Sequence, residues 1–592
     1  ARHGHEDNPH QQGQSLTHAI KYITLRYKNG HKHPRGAKNC PMFKMLPPVF
    51  QEETKNNDFL MDYIHLIPVE EVGIPEFYEE LARDLGEKKN PNLIYRIGGG
   101  LYVHIYPDPA DSRDYYIAIE PGMFDSNAQL IEQMEDRLVD HVEELEDPKN
   151  KDLNQGEVLR KILNNSVTVV NRGQLSSASK KAEKKSGTKL PVTKEQLDTL
   201  RYQLVRDKEG MGILEPLIQD PYIEDISCSG LGSIFLEHKI FKSVKTNIGF
   251  ETSTEWDTFV IQLSEKIGKP VTYRTPIIDA VLPDGSRINL VFGEDVSKRG
   301  SNFTIRKFAE NPLSLIQLVE FGGLTYEMAG YLSLAILHGA NMFISGETAS
   351  GKTTLMNAVT VFLNPNSKIV SIEDTPELQV PHPNWIREVI RGKPGDESGA
   401  PVTMFDLLRA ALRQRPDEII IGEIRGEEGA IMFQAMQTGH SCMATFHASS
   451  VEKLIQRLTG NPINIPKTYI DNLNLVVIQS SVRLPNGKEG RRIISMNEIV
   501  GYDSSSDSFS FIEVFRWNPA NDTIEFTGYM NSYLLEEVIA AKRGIPPHRK
   551  RDIYAELTRR ANILRKLKEQ GVTGFDELYK VISKAYKEGV FR

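Results

Sequence analysis

The chain has 592 residues, a formal net charge of −8, and hydrophobic and charged fractions of 39% and 25%. That length exceeds one hydrophobic core and points to several domains of ordinary globular composition, while the acidic balance argues against wholesale binding to nucleic acid or an anionic membrane. Three cysteines, Cys40, Cys228 and Cys442, share no close spacing, which argues against a disulfide framework or a cysteine zinc site and points to a reducing compartment. The best apolar stretch, Tyr331 to Ile344, is interrupted by His338, Gly339 and Asn341, so no run of about 18 apolar residues is long enough to span a bilayer. Any membrane role is therefore expected to run through a partner. Neither a charged n-region nor an apolar h-region follows Ala1, and no secretory signal is expected.

Residues 1–45 are polar and rich in His and Gly without a clear period, which predicts a flexible tail rather than a metal site. Residues 46–172 read as an N-terminal α+β docking module. Leu101 to Tyr106 and Tyr115 to Ile119 are two strands around a Pro-Asp-Pro turn. Ser126 precedes a helix with apolar positions Leu130, Met134, Leu138, Val142 and Leu145. The Lys- and Ser-rich segment 173–192 reads as a linker. A second α+β domain is predicted over 193–310, opening where Thr193 and Gln196 have capping-box spacing. Near its end Asp284-Gly285 supplies the backbone freedom of a hairpin turn. Arg274, Arg287 and Arg306 lie close to these turns.

The most informative region is 311–505. A short apolar run, Asn341 to Ile344, reads as a buried strand and breaks into Gly346-Glu347-Thr348-Ala349-Ser350-Gly351-Lys352-Thr353-Thr354. This is the G-x-x-x-x-G-K-[ST] spacing of a phosphate-binding P-loop. Glycines let successive N–H groups curl around a phosphate, and the following helix aims its positive end at the same anion. Lys352 can reach the β- and γ-phosphates, and the Thr353 hydroxyl can hold Mg²⁺. Three further strand-like runs end in polar groups: 368–374 at Glu373 and Asp374, 418–423 at Glu423, and 441–447 at His447. In open α/β sheets ligands bind beyond the carboxyl ends of the strands, so four such endings should converge on one site. The expected substrate is ATP with Mg²⁺. Glu423 would hold the metal's water shell, and Glu373 would orient the attacking water, with Asp374 and Glu377 as alternatives. His440 and His447 bracket the last of these strands and would report the γ-phosphate. Residues 506–592 read as two strands followed by two packed helices.

These motifs together resemble the type II/type IV secretion and pilus-assembly ATPase superfamily. GETASGKTT is similar to its Walker A motif, IEDTPEL to its Asp box, LRQRPDEIIIGEIRG to its Walker B region and TGHSCMATFHA to its His box. Upstream, GILEPLIQDPYIEDI and LPDGSRIN resemble the superfamily's second N-terminal domain. The lettering is closest to the archaeal branch of pilus, archaellum and secretion ATPases. Thr375 stands where bacterial relatives usually carry Pro, and the tetracysteine zinc module of the bacterial type II group is absent. The resemblance implies an α/β fold: a RecA-like P-loop core preceded by a smaller PAS-like α+β domain and the N-terminal module. It also implies a cytoplasmic homo-hexamer, peripheral to the membrane through a polytopic platform protein, on which a pilin-like or secreted substrate depends indirectly. Arg274 and Arg287, with Arg306 as a third candidate, would complete the ATP site.

Two other readings compete. A RecA-like core can drive a nucleic-acid motor, but that needs a basic channel with stacking aromatics, and no such motif is recognisable. A non-hydrolysing, nucleotide-gated scaffold would not need Lys352, Thr353, Glu373 and Glu423 together.

Overall fold

The structure, a computed structural model, describes residues 41–67, 69–108, 111–123, 128–139, 155–171, 174, 189–308, 312–391 and 401–591. Residues 1–40 of the expected tail and residues 173 and 175–188 of the expected linker lie outside the described residues, as do Ser126, Val142 and Leu145. The last part of the expected tail, Pro41–Met45, is instead a short helix whose Met42 and Phe43 pack on an apolar core, and the end of the expected linker, Leu190–Val192, is a strand. The chain divides into two compact units, Ala1–Phe308 and Ala309–Arg592.

In the first unit, β1 (Glu76–Tyr78), β2 (Leu93–Gly98), β3 (Leu101–Tyr106) and β4 (Tyr115–Ile119) come early in the chain. The two strands expected around the Pro-Asp-Pro turn are β3 and β4. Helices α1 (Ala128–Val139) and α2 (Gln155–Ser166) follow, then β5 (Val167–Val169), β6 (Leu190–Val192) and α3 (Lys194–Lys208). Met134, Leu159, Leu163, Leu197, Leu200 and Leu204 form their common core. The capping box at α3 is present: the Thr193 hydroxyl accepts from the Gln196 N–H, and the Gln196 side chain accepts from the Thr193 N–H.

The unit continues with β7 (Ile223–Cys228), β8 (Gly232–His238), β9 (Lys242–Phe250), α4 (Ser253–Lys266), β10 (Ile277–Val281), β11 (Arg287–Val291) and β12 (Asn302–Arg306). The early and late strands join in one ten-stranded sheet, ordered β1-β2-β3-β4-β9-β8-β7-β12-β11-β10. Side chains alternate across it. Leu93 and Tyr95 face the core that contains Ile226, Trp256 and Phe303, whereas Ile94 faces the core of Phe50, Leu60 and Tyr102. The seam between early and late strands is the parallel pair β4–β9, with Tyr115 opposite Lys245 and Tyr116 opposite Thr246. Across it, the hydroxyls of Tyr95 and Tyr116 donate to one oxygen of the fully buried Asp220, at 2.6 and 2.8 Å. The Lys245 ammonium bridges Asp108 and Asp111, at 2.6 and 3.0 Å.

Two buried histidines are also held here. His104 Nδ1 lies 2.7 Å from the Tyr63 hydroxyl and Nε2 2.8 Å from Asn92 Oδ1. His238 Nδ1 accepts from the N–H groups of Ile240 and Phe241. Burial pushes both imidazoles down to about 3, so both are neutral near pH 7. The expected hairpin is β10–β11; Gly285 occupies its turn with φ of +86°, a conformation that costs glycine little.

The second unit opens with α5 (Tyr326–Leu337), β13 (Met342–Gly346), α6 (Lys352–Val359), β14 (Ile369–Glu373) and β15 (Trp385–Val389). It continues with α7 (Met404–Gln414), β16 (Glu418–Ile421), α8 (Glu428–Gln437), β17 (Ser441–Phe446) and α9 (Val451–Thr459). Next are β18 (Leu475–Arg483), β19 (Glu489–Asp503), β20 (Ser508–Asn518) and β21 (Thr523–Glu525), and the described chain ends with α10 (Ile553–Glu569) and α11 (Phe575–Lys587). The sheet runs β15-β14-β16-β17-β13-β18-β19-β20-β21. It is parallel from β15 to β18 and antiparallel from β18 onward. Both faces of the parallel part are covered, which is why its strands read as continuous apolar runs. Met342 and Ile344 face one core, Phe343, Ile419 and Ile421 the other. Leu557, Leu564, Leu578 and Ile582 of the C-terminal helices share the first of these cores with the P-loop helix. This is the expected α/β, RecA-like order, with the P-loop strand between β17 and β18. Among the described residues no helix is long and apolar enough to cross a membrane.

Candidate active site

β13 delivers Gly346 to the end of the sheet, and α6 begins at Lys352. Between them Ala349 and Gly351 both adopt positive φ, +60° and +94°, so the chain reverses tightly enough to turn its N–H groups inward. The Lys352 side chain is buried to 9% exposure. Its ammonium donates to the carbonyls of Gly346 and Glu347, at 3.0 and 2.8 Å. Burial pulls its pKa below the ordinary lysine value, and the carboxylates of Glu423 and Glu377 partly oppose that. The cation is thus already inside the cradle where phosphate charge would lie.

The parallel register brings the other strand ends alongside. The Ser345 hydroxyl donates to the Ala448 carbonyl at 2.7 Å and accepts from the Ala448 N–H at 2.9 Å, tying the segment after β17 to β13. His447 Nδ1 then stands 3.4 Å from the Lys352 ammonium, and Nε2 stands 3.0 Å from Glu423 Oε1. Burial, followed by the Lys352 charge, holds His447 below its ordinary value against the pull of Glu423. A neutral ring with its proton on Nε2 satisfies both neighbours. Glu423 Oε2 accepts from Arg425 at 2.6 Å, and the same guanidinium lies 3.3 Å from Asp374. Burial works to raise the Glu423 pKa, but Arg425, His447 and Lys352 bring it below the usual carboxylate range. Lys352, His447, Glu423, Arg425 and Asp374 therefore form one continuous line of alternating partners.

Two expectations need correction. Glu373 does not have a carboxylate free to orient water: it is 1% exposed. Its Oε1 accepts from the N–H groups of Glu377 and Leu378, at 2.8 and 2.7 Å, and Oε2 accepts from Arg387 at 3.2 Å. Burial raises its pKa despite these partners. Glu373 braces the loop that carries Glu377, whose side chain is exposed and whose charge is felt at Lys352. His440 precedes the amino end of β17, whereas His447 follows its carboxyl end. Six residues of strand separate them by roughly 20 Å, so His447 alone stands on the P-loop side.

Arg274 is exposed in the connection between α4 and β10, where its N–H donates to the Thr272 hydroxyl. Arg287 opens β11, 3.7 Å from Asp279, directly opposite Arg306 in register. Arg306 makes a forked contact with Asp225 at 3.0 and 3.3 Å. All three belong to the first unit, and the P-loop belongs to the second. Sequence reasoning missed the bridging of Arg425 and the brace from Arg387. Arg425 lies inside the Walker B-like stretch, but Arg387 is 14 residues from Glu373 on another strand and carries no local signal.

Among the described residues, no three His, Cys, Asp or Glu side chains gather to hold an ion by themselves. Mg²⁺ keeps much of its water and is shared with substrate phosphates, so it calls on few protein oxygens. Thr353, in the first turn of α6, and Glu423, which reaches Lys352 through His447, are the protein oxygens that would be offered to it.

A family model described as "Type II/IV secretion system protein" matches residues 207–543. The uncharacterized protein MJ0900 of Methanocaldococcus jannaschii is 42% identical, over 91% of this chain and 97% of that one. The type IV secretion system protein VirB11 of Brucella suis is 27% identical over 46% of this chain and 84% of its own length. Among solved structures, the Legionella pneumophila ATPase DotB aligns over 61% of this chain and 92% of that one, at 18% identity and a TM-score of 0.36. With a matching family model over more than half its length and a full-length relative at this identity, the chain belongs to the type II/type IV secretion ATPase family.

Proposed function

We propose that the chain is an Mg²⁺-dependent ATPase that powers assembly of a type IV pilus-like filament or type II/IV-like secretion. It would act as a homo-hexamer at the cytoplasmic side of a polytopic membrane platform protein. The observation that carries this reading is the convergence of Lys352, His447 and Glu423 at the carboxyl ends of three neighbouring parallel strands. Phosphoryl transfer to water needs positioning and charge neutralisation more than covalent chemistry. The P-loop N–H groups and Lys352 hold the β- and γ-phosphates, and bound Mg²⁺ would supply further neutralisation of phosphate charge. Glu423 would hold the metal's water shell, and its carboxylate keeps the His447 ring in register with Lys352. Glu377, held out by the Glu373 brace, orients the attacking water. Arg274 and Arg287 would add positive charge to the nucleotide during turnover.

The test is hydrolysis by the purified full chain with and without Mg²⁺, beside Lys352→Ala. Mg²⁺-dependent turnover that falls below a tenth in the variant supports the reading. Metal-independent turnover, or a variant as active as the parent, sinks it. Turnover driven by added single-stranded or duplex DNA would point to the nucleic-acid motor instead, and capture of a polytopic platform protein by the chain would support the secretion reading.

A further inference from the structure

Gly346 closes β13 and stands level with Gln479 of β18. The two backbones approach so closely that a Cβ on Gly346 would lie 2.0 Å from the Gln479 carbonyl oxygen and 2.8 Å from the Ser350 hydroxyl. At this point the ladder between β18 and β19 shifts register, between Ile478 and Gln479. The extra residue is Ile494 of β19, so β19 carries the bulge and Gln479 lies opposite it. Bulges bend the strand that carries them and recur beside active sites. The Gln479 carboxamide reaches the far end of the P-loop. A Cβ on Gly351 would lie 3.0 Å from Gln479 Nε2.

Two polar groups are left open in this spot. Gln479 is 6% exposed and its Oε1 is buried without a hydrogen-bond partner. Ser350 is 1% exposed and its hydroxyl is likewise buried and unpartnered. One is an acceptor and the other can donate. Both flank the same pair of glycines, yet they belong to different segments, the P-loop and the start of the antiparallel arm. Buried polar atoms rarely stay unsatisfied, and an exception beside a ligand site marks a state that another conformation relieves.

We propose that the Ser350 hydroxyl donates to Gln479 Oε1 when a nucleoside triphosphate orders the P-loop, making Gln479 a positioning residue that ties phosphate occupancy to the β18–β21 arm. The pair closes on binding and opens on release. The β19 bulge opposite Gln479 is the joint through which the P-loop moves β19, β20 and β21, which follow in one ladder. This inference rests on the ATPase reading above.

The affinity of the full chain for a fluorescent, non-hydrolysable ATP analogue tests it, in wild type, Ser350→Ala, Gln479→Met and the double variant. Each single change is expected to weaken binding about tenfold, and the double variant also about tenfold, because the second change removes nothing once the pair is gone. A hundredfold loss in the double variant, or unchanged affinity in both singles, overturns the proposal. Hydrogen exchange on the wild-type chain needs no variant to fold. The analogue should slow exchange in 346–353 and 476–484 together, and protection of the first segment alone overturns the pair. A wild-type chain that binds no ATP analogue refutes the ATPase reading, and the pair with it.

Discussion

The division of labour between Glu373 and Glu377 makes the sharpest prediction, because the two carboxylates are four residues apart and differ in what holds them. Glu373→Gln keeps an oxygen that can still accept from the N–H groups of Glu377 and Leu378, but it loses the charged partner of Arg387. One charge-assisted hydrogen bond is worth about 1.5–3 kcal/mol. Since burial already raises the Glu373 pKa, a neutral side chain is tolerated there, and the loss belongs at the low end, near ~1.5 kcal/mol. It should appear as a lower denaturant midpoint with turnover within tenfold of wild type. Glu377→Gln removes an exposed charge, so stability should hold within about 0.5 kcal/mol. Turnover should fall about 10²–10³-fold, which corresponds to ~2.7–4 kcal/mol of barrier. Urea unfolding and steady-state hydrolysis on the same preparations read both quantities. If Glu373→Gln abolishes turnover at unchanged stability while Glu377→Gln hydrolyses normally, the assignment is the wrong way round.

Glu423→Gln should leave nucleotide affinity within a few-fold and lower turnover by roughly 10²–10³, or ~2.7–4 kcal/mol; unchanged turnover would remove Glu423 from the chemistry. Arg287→Ala mixed with Lys352→Ala should recover some activity if the arginine and the P-loop come from different copies, and specific activity of the wild type should then rise with concentration. Flat activity with full turnover in both Arg274→Ala and Arg287→Ala would make the site self-contained. For pH, the folded pKa of His104 lies near 3, far below the ordinary value near 6.5. The unfolded chain therefore binds the proton first, and stability is lost as pH falls from about 6.5 towards 3. At pH 5 the loss is roughly 2 kcal/mol for His104 alone. The stability difference between wild type and His104→Gln should shrink by about that amount between pH 7 and pH 5, and a constant difference would refute the linkage.

The core was legible where local pattern and tertiary demand coincide. Phe343, Ile372 and Ile420 lie in strands buried on both faces, and such strands announce themselves as short apolar runs. The polar residue after each run could be named because the carboxyl ends of parallel strands share one edge. Choosing among adjacent carboxylates was not possible from spacing. Glu373 and Glu377 both follow the same strand, and only the arrival of Arg387 from β15 separates brace from reagent. The bulge at Ile494, opposite Gln479, was invisible for a similar reason: a bulge is a relation between two strands, and neither strand shows it by itself. The joining of the early strands to β9 was hidden by a compositional break, since the Lys- and Ser-rich segment reads as a boundary although the sheet resumes beyond it.

That sheet also sets how the first unit would carry a mechanical load. Ten strands in one ladder behave as an elastic plate, and a force applied at β1 reaches β10 without crossing a tether. A plate yields at its narrowest weld. Here the weld is β4–β9, where two residue pairs meet, against five in β3–β4. Lys245 rivets one end of it to Asp108 and Asp111, and Asp220 stitches across it through two phenols. Under shear the plate would part along this line first, and the strength of these few polar rivets would set how much work the early strands can transmit.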